Sequence, residues 1–235
     1  MIKYRLKIID IINETKGTKT YYFEKPENFT WEPGSSIHMG LVGFDEGEKP
    51  NKSLVRHMSI MTLSNENKIG ITTRVPGSSS EFKNNLSKLN IGDEAVFFKL
   101  SSKMPLRRCN RPVILLSMGV GLASMRPIIH SFLSDKTNPP YLVNVNVDSS
   151  NDFLFKEELD KFVDENYKNY WLNSRKAFYE LLDELTQTEN NIYYIVGSYD
   201  FVKDTIQNLK AKNISVEDVI IDKSEEDLKK LFDLF

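Results

Sequence analysis

The chain is short of cysteine, of net charge and of long apolar runs, and each shortage removes a class of protein. A single cysteine, Cys109, rules out an internal disulfide. It also rules out a cysteine-ligated zinc site or an iron–sulfur cluster, which need several thiolates. Such sparing use of cysteine suits a reducing compartment. The three histidines, His38, His57 and His130, lie far apart without ligand spacing, so no metal site is expected. Lys and Arg number 31 against 33 Asp and Glu, a formal net charge of −2. That balance provides no basic face for a phosphate backbone, and no nucleic-acid partner is expected. No apolar run approaches the roughly 20 residues of a membrane span. The opening Met-Ile-Lys-Tyr-Arg-Leu-Lys-Ile-Ile-Asp alternates like a strand and lacks the apolar core of a signal peptide, so a cytoplasmic location is expected.

What remains is a chain of 235 residues, 40% hydrophobic and 27% charged, long enough for two cores. The first hundred residues read mostly as strands: Ile2–Ile12, Lys19–Glu24, Ile37–Val42, Leu54–Thr62, Ile69–Val75 and Glu94–Leu100. Trp31-Glu32-Pro33-Gly34 is turn chemistry. Ser80–Leu89 carries Phe82, Leu86 and Leu89 at helical spacing, with a serine at the N-cap position. Short strands, turns and one helix predict a small antiparallel barrel or sandwich. After the basic, proline-bearing stretch at 103–111 the pattern changes. Val113–Ser117, Tyr141–Val147, Asn169–Leu172, Ile192–Val196 and Val216–Ile221 read as strands. Helices are predicted over Leu122–Leu133, Phe153–Val163, Lys176–Leu185, Phe201–Leu209 and Glu225–Phe235. Such alternation predicts a doubly wound parallel sheet. The division falls at residues 1–108 and 109–235.

Four segments carry chemistry. Ser117-Met118-Gly119-Val120-Gly121-Leu122 is a glycine turn between a buried strand and a helix, where the free N–H groups of a helix start attract phosphate. A lone Gly-x-Gly is equally an ordinary tight turn. Val196-Gly197-Ser198 repeats that arrangement at a second strand end. Arg56-His57-Met58-Ser59 sets a guanidinium near a hydroxyl, suited to a phosphate oxygen or to a solvated edge strand. Thr73-Arg74 through Ser79-Ser80-Glu81-Phe82-Lys83 joins a strand, a glycine–serine loop and a helix start, another anion site or a flexible loop with a serine cap.

In order, these segments resemble the ferredoxin–NADP reductase superfamily, a flavin barrel followed by a nicotinamide-nucleotide domain. Trp31-Glu32-Pro33-Gly34-Ser35 is similar to its Pro-Gly-Gln segment, with Ser35 for Gln. Arg56-His57-Met58-Ser59 is similar to its Arg-x-Tyr/Phe-Ser/Thr flavin motif, with Met58 where an aromatic stacks. Leu116–Arg126 is similar to its Gly-Gly-x-Gly-x-Thr-Pro segment, with Met118 for the first Gly and Ser124 for Pro. Tyr194–Ser198 is similar to its Cys-Gly-Pro segment. The family's late Glu-x-Phe has no counterpart; Ile221-Asp222-Lys223-Ser224 stands there.

The resemblance implies FAD and NAD(P)H as cofactors and transfer of a hydride from the nicotinamide to flavin N5. It implies that Arg56, His57, Met58, Thr73, Arg74, Ser79 and Ser80 hold FAD. Ser59 is the catalytic candidate, its hydroxyl orienting the ring or the hydride. Gly119, Gly121, Ala123, Ser124, Gly197 and Ser198 would admit the nicotinamide dinucleotide. Asp148, after the strand Tyr141–Val147, would accept from a ribose 2′-hydroxyl and repel a 2′-phosphate. Phe235 would cover the flavin or pack the last helix. Electrons would leave to a ferredoxin, an oxygenase component or a small oxidant. Two rival readings stand beside this one: a reductase that uses flavin as a diffusible substrate, and a non-catalytic nucleotide-binding or protein-interaction module. Cys109 among Arg107, Arg108 and Arg111 reads as a linker thiol, and Glu157-Glu158 as a solvated helix face.

Overall fold

The computed structural model describes residues 2–75, 80–223 and 225–232. Ser79 and Phe235, both given roles above, lie outside the described residues. The chain forms two compact units, Met1–Pro105 and Leu106–Phe235.

The first unit contains strands β1 (Lys3–Thr15), β2 (Thr18–Glu24), β3 (Ser35–Leu41), β4 (Val55–Ser59), β5 (Lys68–Arg74) and β6 (Glu94–Ser102), with helix α1 (Glu81–Leu86) before β6. They form one antiparallel sheet in the order β4-β3-β6-β1-β2-β5. The sheet curls into a half-barrel: just beyond β4, Met61 N donates to Gly70 O on the other edge strand at 2.9 Å. The period-two pattern sends Tyr21, Phe23, Ile37, Met39, Ile69, Ile71 and Phe97 to the inside, where Phe82 and Leu86 of α1 pack on them. Trp31 belongs to the same core and donates from Nε1 to Thr62 O at 2.8 Å.

The second unit contains the parallel strands β7 (Val113–Met118), β8 (Leu142–Val147), β9 (Tyr167–Leu172), β10 (Ile192–Val196) and β11 (Val219–Ile221). Its helices are α2 (Leu122–Ser134), α3 (Lys156–Leu159), α4 (Arg175–Leu185), α5 (Tyr199–Ala211) and α6 (Glu225–Phe232). The sheet order is β11-β10-β7-β8-β9. The chain therefore builds outward from β7 through β8 to β9, then returns to place β10 on the other side of β7. Continuous apolar runs, such as Val113–Leu116, are buried on both faces, as a covered parallel sheet requires.

Beyond shifted ends, such as a β4 of Val55–Ser59 for the predicted Leu54–Thr62 and an α1 of Glu81–Leu86 for Ser80–Leu89, local structure departs from expectation at two segments. The helix predicted over Phe153–Val163 reduces to α3 and a 3-10 turn at Asp160–Phe162, because Phe155 takes a positive φ of 55° and blocks helix before it. The predicted strand Val216–Ile221 begins with a 3-10 turn, Val216–Asp218, capped by Ser215, and only Val219–Ile221 pairs. The linker arginines are committed to backbone and carboxylate partners of the second unit. Arg107 donates to Glu217 O at 2.7 Å, Arg108 to Ser131 O at 2.6 Å, and Arg111 pairs with Asp218 at 2.7 Å. Among the described residues no helix is long and apolar enough to cross a membrane.

Candidate functional site

The first site lies where β4 meets the start of α1. Arg56 pairs across the sheet with Met39, and Met58 with Ile37. Directly opposed residues share a face, so Arg56 and Met58 both project to the inner side, toward α1. The guanidinium is held from three sides. Nη1 donates to Val55 O at 2.7 Å and Ser53 O at 3.3 Å, and Nη2 donates to Ser80 Oγ at 2.9 Å. It also lies 5.7 Å from the centre of the Phe82 ring. Ser80 occupies the N-cap position of α1 but makes no side-chain cap bond; its hydroxyl accepts from Arg56 instead.

Two further cations gather there. Burial, and after it the positive charges of Arg56 and Arg74, hold Lys83 below the ordinary lysine range. Arg56, Arg74 and Lys83 thus share one electrostatic neighbourhood, which an anion would relieve. Thr73 sits beside Arg74 on β5, buried on the face of Ile71, opposite Lys19. Met58 packs partly buried against the core cluster. Ser59 ends β4 opposite Ser36. His57 stands apart from this group: it pairs with His38 on the outer face of the sheet.

The second site lies at the carboxyl ends of β7 and β10, where the strand order reverses. Open α/β sheets bind their ligands at such a crevice. The two glycine turns pack on each other. A methyl group on Gly121 would lie 2.6 Å from Val196 O, and one on Gly197 would lie 2.5 Å from the Phe201 ring and 3.1 Å from Met118 Cβ. Gly119 takes a positive φ of 54°, and a methyl group there would lie 3.3 Å from Asp148 Oδ2. Gly119–Gly121 is itself a 3-10 turn leading into α2, with Ala123 and Ser124 buried in the first helical turn. Ser198 caps α5, its Oγ accepting from Phe201 N at 3.2 Å. Asp148 Oδ1 accepts from Ser150 N at 2.9 Å and Ser150 Oγ at 2.7 Å.

Several residues of these sites carry no motif of their own. Arg175 opens α4, pairs with Asp204 at 2.8 Å and brings Nη2 to 3.8 Å from Met118 Sδ. Lys223 Nζ donates to Gly197 O at 3.1 Å. Asn146 anchors the first turn from below, donating to Ser117 Oγ at 2.8 Å and Gly119 O at 3.2 Å. Its buried Oδ1 has no hydrogen-bond partner among the described residues. Each is one basic or amide residue in an ordinary run, and only the fold puts it at a strand end.

Glu158 needs correction. It is no solvated helix residue: Arg126 donates to it at 2.7 Å and His130 Nε2 lies 2.9 Å away. Burial alone would raise its pKa, but the hydrogen bonds from His130 and Arg126 outweigh burial and bring it down to about 2. No group of three or more His, Cys, Asp or Glu among the described residues could hold a metal ion.

No protein-family profile matches the chain. Over 63 residues it is 41% identical to NADPH-dependent diflavin oxidoreductase 1 of Eremothecium gossypii, a stretch that covers 27% of this chain and 10% of that protein. Among solved structures, a ferredoxin NADP+ reductase from Neisseria gonorrhoeae with bound FAD and NADP superposes with a TM-score of 0.77 at 15% identity, covering 94% of this chain and 98% of that one. The CS-b5R domains of human Ncb5or, in their NAD+ form, give a TM-score of 0.77 at 16% identity, covering 94% and 70%. The likeness spans both units, and the fold of this chain is that of the ferredoxin–NADP reductase-like, two-domain FAD/NAD(P)-binding proteins.

Proposed function

We propose that the chain is a flavoprotein reductase: the first unit holds FAD, the second holds NAD(P)H, and the electrons leave to a separate redox protein or small acceptor. The observation that carries this reading is the Arg56–Ser80 contact, with Arg74 and Lys83 beside it. Three clustered cations and a hydroxyl suit a doubly charged pyrophosphate. In the second unit the bare glycine backbone at the switch point lets a dinucleotide approach, and Arg175 and Lys223 supply positive charge there.

A flavin bound in this way would accept a hydride from NAD(P)H and hand the electrons on. The protein's share is positional. Arg56 anchors the anionic middle of the cofactor, and its carbonyl partners fix the guanidinium before any ligand arrives. Ser59, at the end of β4, places a hydroxyl at the strand end that faces the reacting ring in this reading. Gly119, Gly121 and Gly197 keep the turn low, and Asn146 holds it there.

The test is an absorbance spectrum of the purified protein, as isolated and after incubation with FAD. A flavin band that survives gel filtration, and bleaches anaerobically on addition of NADH or NADPH, is the expected result. A protein that takes up no FAD refutes the proposal. One observation favours a second reading, in which flavin is taken up and released as a substrate. Met58 packs against the barrel core and offers a thioether in place of a stacking ring, a weaker grip. In that case the band is lost on gel filtration while added flavin is still reduced.

A further inference from the structure

We propose that the outer face of the half-barrel carries a second binding site, for a small aromatic anion, on the side of β4 opposite the Arg56–Ser80 contact. The proposal stands independently of the redox reading.

The register builds it. His38 is directly opposite His57 on one neighbouring strand and opposite Phe98 on the other, so three rings form a row across the outer face. The His38 and His57 rings meet edge to face at 5.3 Å, and His38 lies 5.5 Å from Phe98. Phe44 stacks on Phe98 at 5.4 Å with the planes 6° apart. Gly40, two residues beyond His38 on the same face, makes room for this. A methyl group there would come within 2.7 Å of the Phe44 ring. These rings line a cavity of about 460 Å³ that also takes in Lys52 and Lys99. That volume falls within the range of small-molecule sites.

The charge is one-sided. Among the described residues the lining includes Lys3, Lys52, Lys99 and Arg56, whose side chain projects to the inner face, and no carboxylate. Lys3 is neutralised by Asp45 at 2.5 Å, and the Arg56 guanidinium is bonded to Ser80; Lys52 and Lys99 remain as the cations facing a ligand. His38 Nδ1 is buried with no hydrogen-bond partner among the described residues, an expensive state for a polar atom unless a ligand or water completes it. Burial, then the charges of His57 and Lys99, hold His38 below the ordinary histidine range, with a backbone hydrogen bond at Lys99 opposing and Lys103 adding to the fall. Lys99 takes a positive φ of 52° at the bulge where the β3–β6 register slips between the His38–Phe98 and Ser36–Ser101 pairs. An aromatic body fits the ring-lined floor, and an anionic group fits the lysines.

The probe is 1-anilinonaphthalene-8-sulfonate, titrated by fluorescence against the whole chain as purified, with histidine ring C2–H resonances followed by NMR. The expected result is saturable binding of one probe, with His38 and His57 resonances moving and His130, in the other unit, unmoved. The Lys52→Glu/Lys99→Glu double variant, with an unchanged circular dichroism spectrum, is expected to weaken binding about tenfold or more. The uncharged N-phenyl-1-naphthylamine is expected to bind about tenfold more weakly than the sulfonate. The proposal is overturned if no saturable binding occurs, if the double variant binds as the parent does, or if His130 moves while His38 and His57 do not. Displacement of the probe by FAD overturns it as well, because the probe then sits in the cofactor site. Loss of FAD binding alone refutes the redox reading and leaves this one standing.

Discussion

Ser80 Oγ, at the N-cap position of its helix, accepts from Arg56 Nη2 at 2.9 Å rather than from the helix's own amides. A hydroxyl so placed holds the guanidinium against α1 and leaves the helix start uncapped by its own side chain. In the FAD reading both features serve the same pyrophosphate. Arg56→Ala is therefore expected to weaken FAD binding by about 10–100-fold, the equivalent of roughly 1.5–3 kcal/mol for a hydrogen-bonded charge. Arg56→Lys is expected to recover only part of this, since an ammonium cannot contact Val55 O, Ser53 O and Ser80 together. Equilibrium dialysis with FAD provides the measurement. Unchanged affinity in Arg56→Ala removes the arginine from the site.

Much of this arrangement was legible in the chain, and the illegible parts share a cause. Apolar periodicity reveals strands such as Val113–Ser117, and glycine after a strand reveals the turns at Gly119 and Gly197. Ser80 is recognisable as a cap position, yet its true partner lies 24 residues earlier and is fixed by how the sheet curls. Lys83, Arg175 and Lys223 resemble any surface cation until the topology places them. His38 and His57 look unrelated along the chain and become neighbours through the pairing of β3 with β4. Glu158 reads as solvated because its partners, Arg126 and His130, sit one turn apart on α2. The predicted Phe153–Val163 helix fails for a local reason, the left-handed Phe155, which an aromatic residue seldom signals. Local patterns report local structure; contacts between distant segments leave no such trace.

The two glycine turns of the second unit make a sharper demand. Gly121→Ala puts a methyl group 2.6 Å from the backbone oxygen of Val196, with no flexible side chain to move aside. The expected cost is about 1–3 kcal/mol of stability, as for other overpacked sites. Thermal unfolding followed by circular dichroism should show a midpoint several degrees lower. Gly197→Ala meets the Phe201 ring at 2.5 Å instead. Because both changes strain the same junction, their combination is expected to deviate from additivity. A Gly121→Ala protein as stable as the parent contradicts the close packing described here.

Glu158 gives the second unit a defined acid response. Its folded pKa, about 2, is below its ordinary value of 4.5. A depressed carboxylate stabilises the fold above its unfolded pKa, and that contribution fades as pH falls from about 4.5 toward 2. The shift corresponds to at most about 3 kcal/mol, and with the side chain 32% exposed roughly 1–2 kcal/mol is expected after solvent screening. Urea unfolding at pH 7 and pH 3 measures it. Glu158→Gln should be less stable than the parent at pH 7, and the gap should narrow at pH 3. An equal gap at both values rules out the carboxylate's charge as the source.

In the proposed reductase reading, nucleotide choice turns on two groups of opposite sign at the switch point. Asp148 lies against Gly119 with one oxygen tied to Ser150, and its other oxygen is 3.3 Å from where a Gly119 methyl would be. A carboxylate in that place accepts from a ribose hydroxyl and repels a phosphate. Arg175 stands near Met118, paired with Asp204, and attracts phosphate wherever on the nucleotide it lies. In steady-state reduction of ferricyanide, Asp148→Ser is therefore expected to raise the ratio of kcat/KM for NADPH over NADH about tenfold, by removing repulsion from one of them. Arg175→Ala is expected to raise KM for both nucleotides with kcat unchanged, the mark of a contact made equally before and during reaction. If Asp148→Ser leaves the ratio as it was, the carboxylate does not face the ribose. If Arg175→Ala impairs NADPH alone, the guanidinium, and not Asp148, reads the 2′ position.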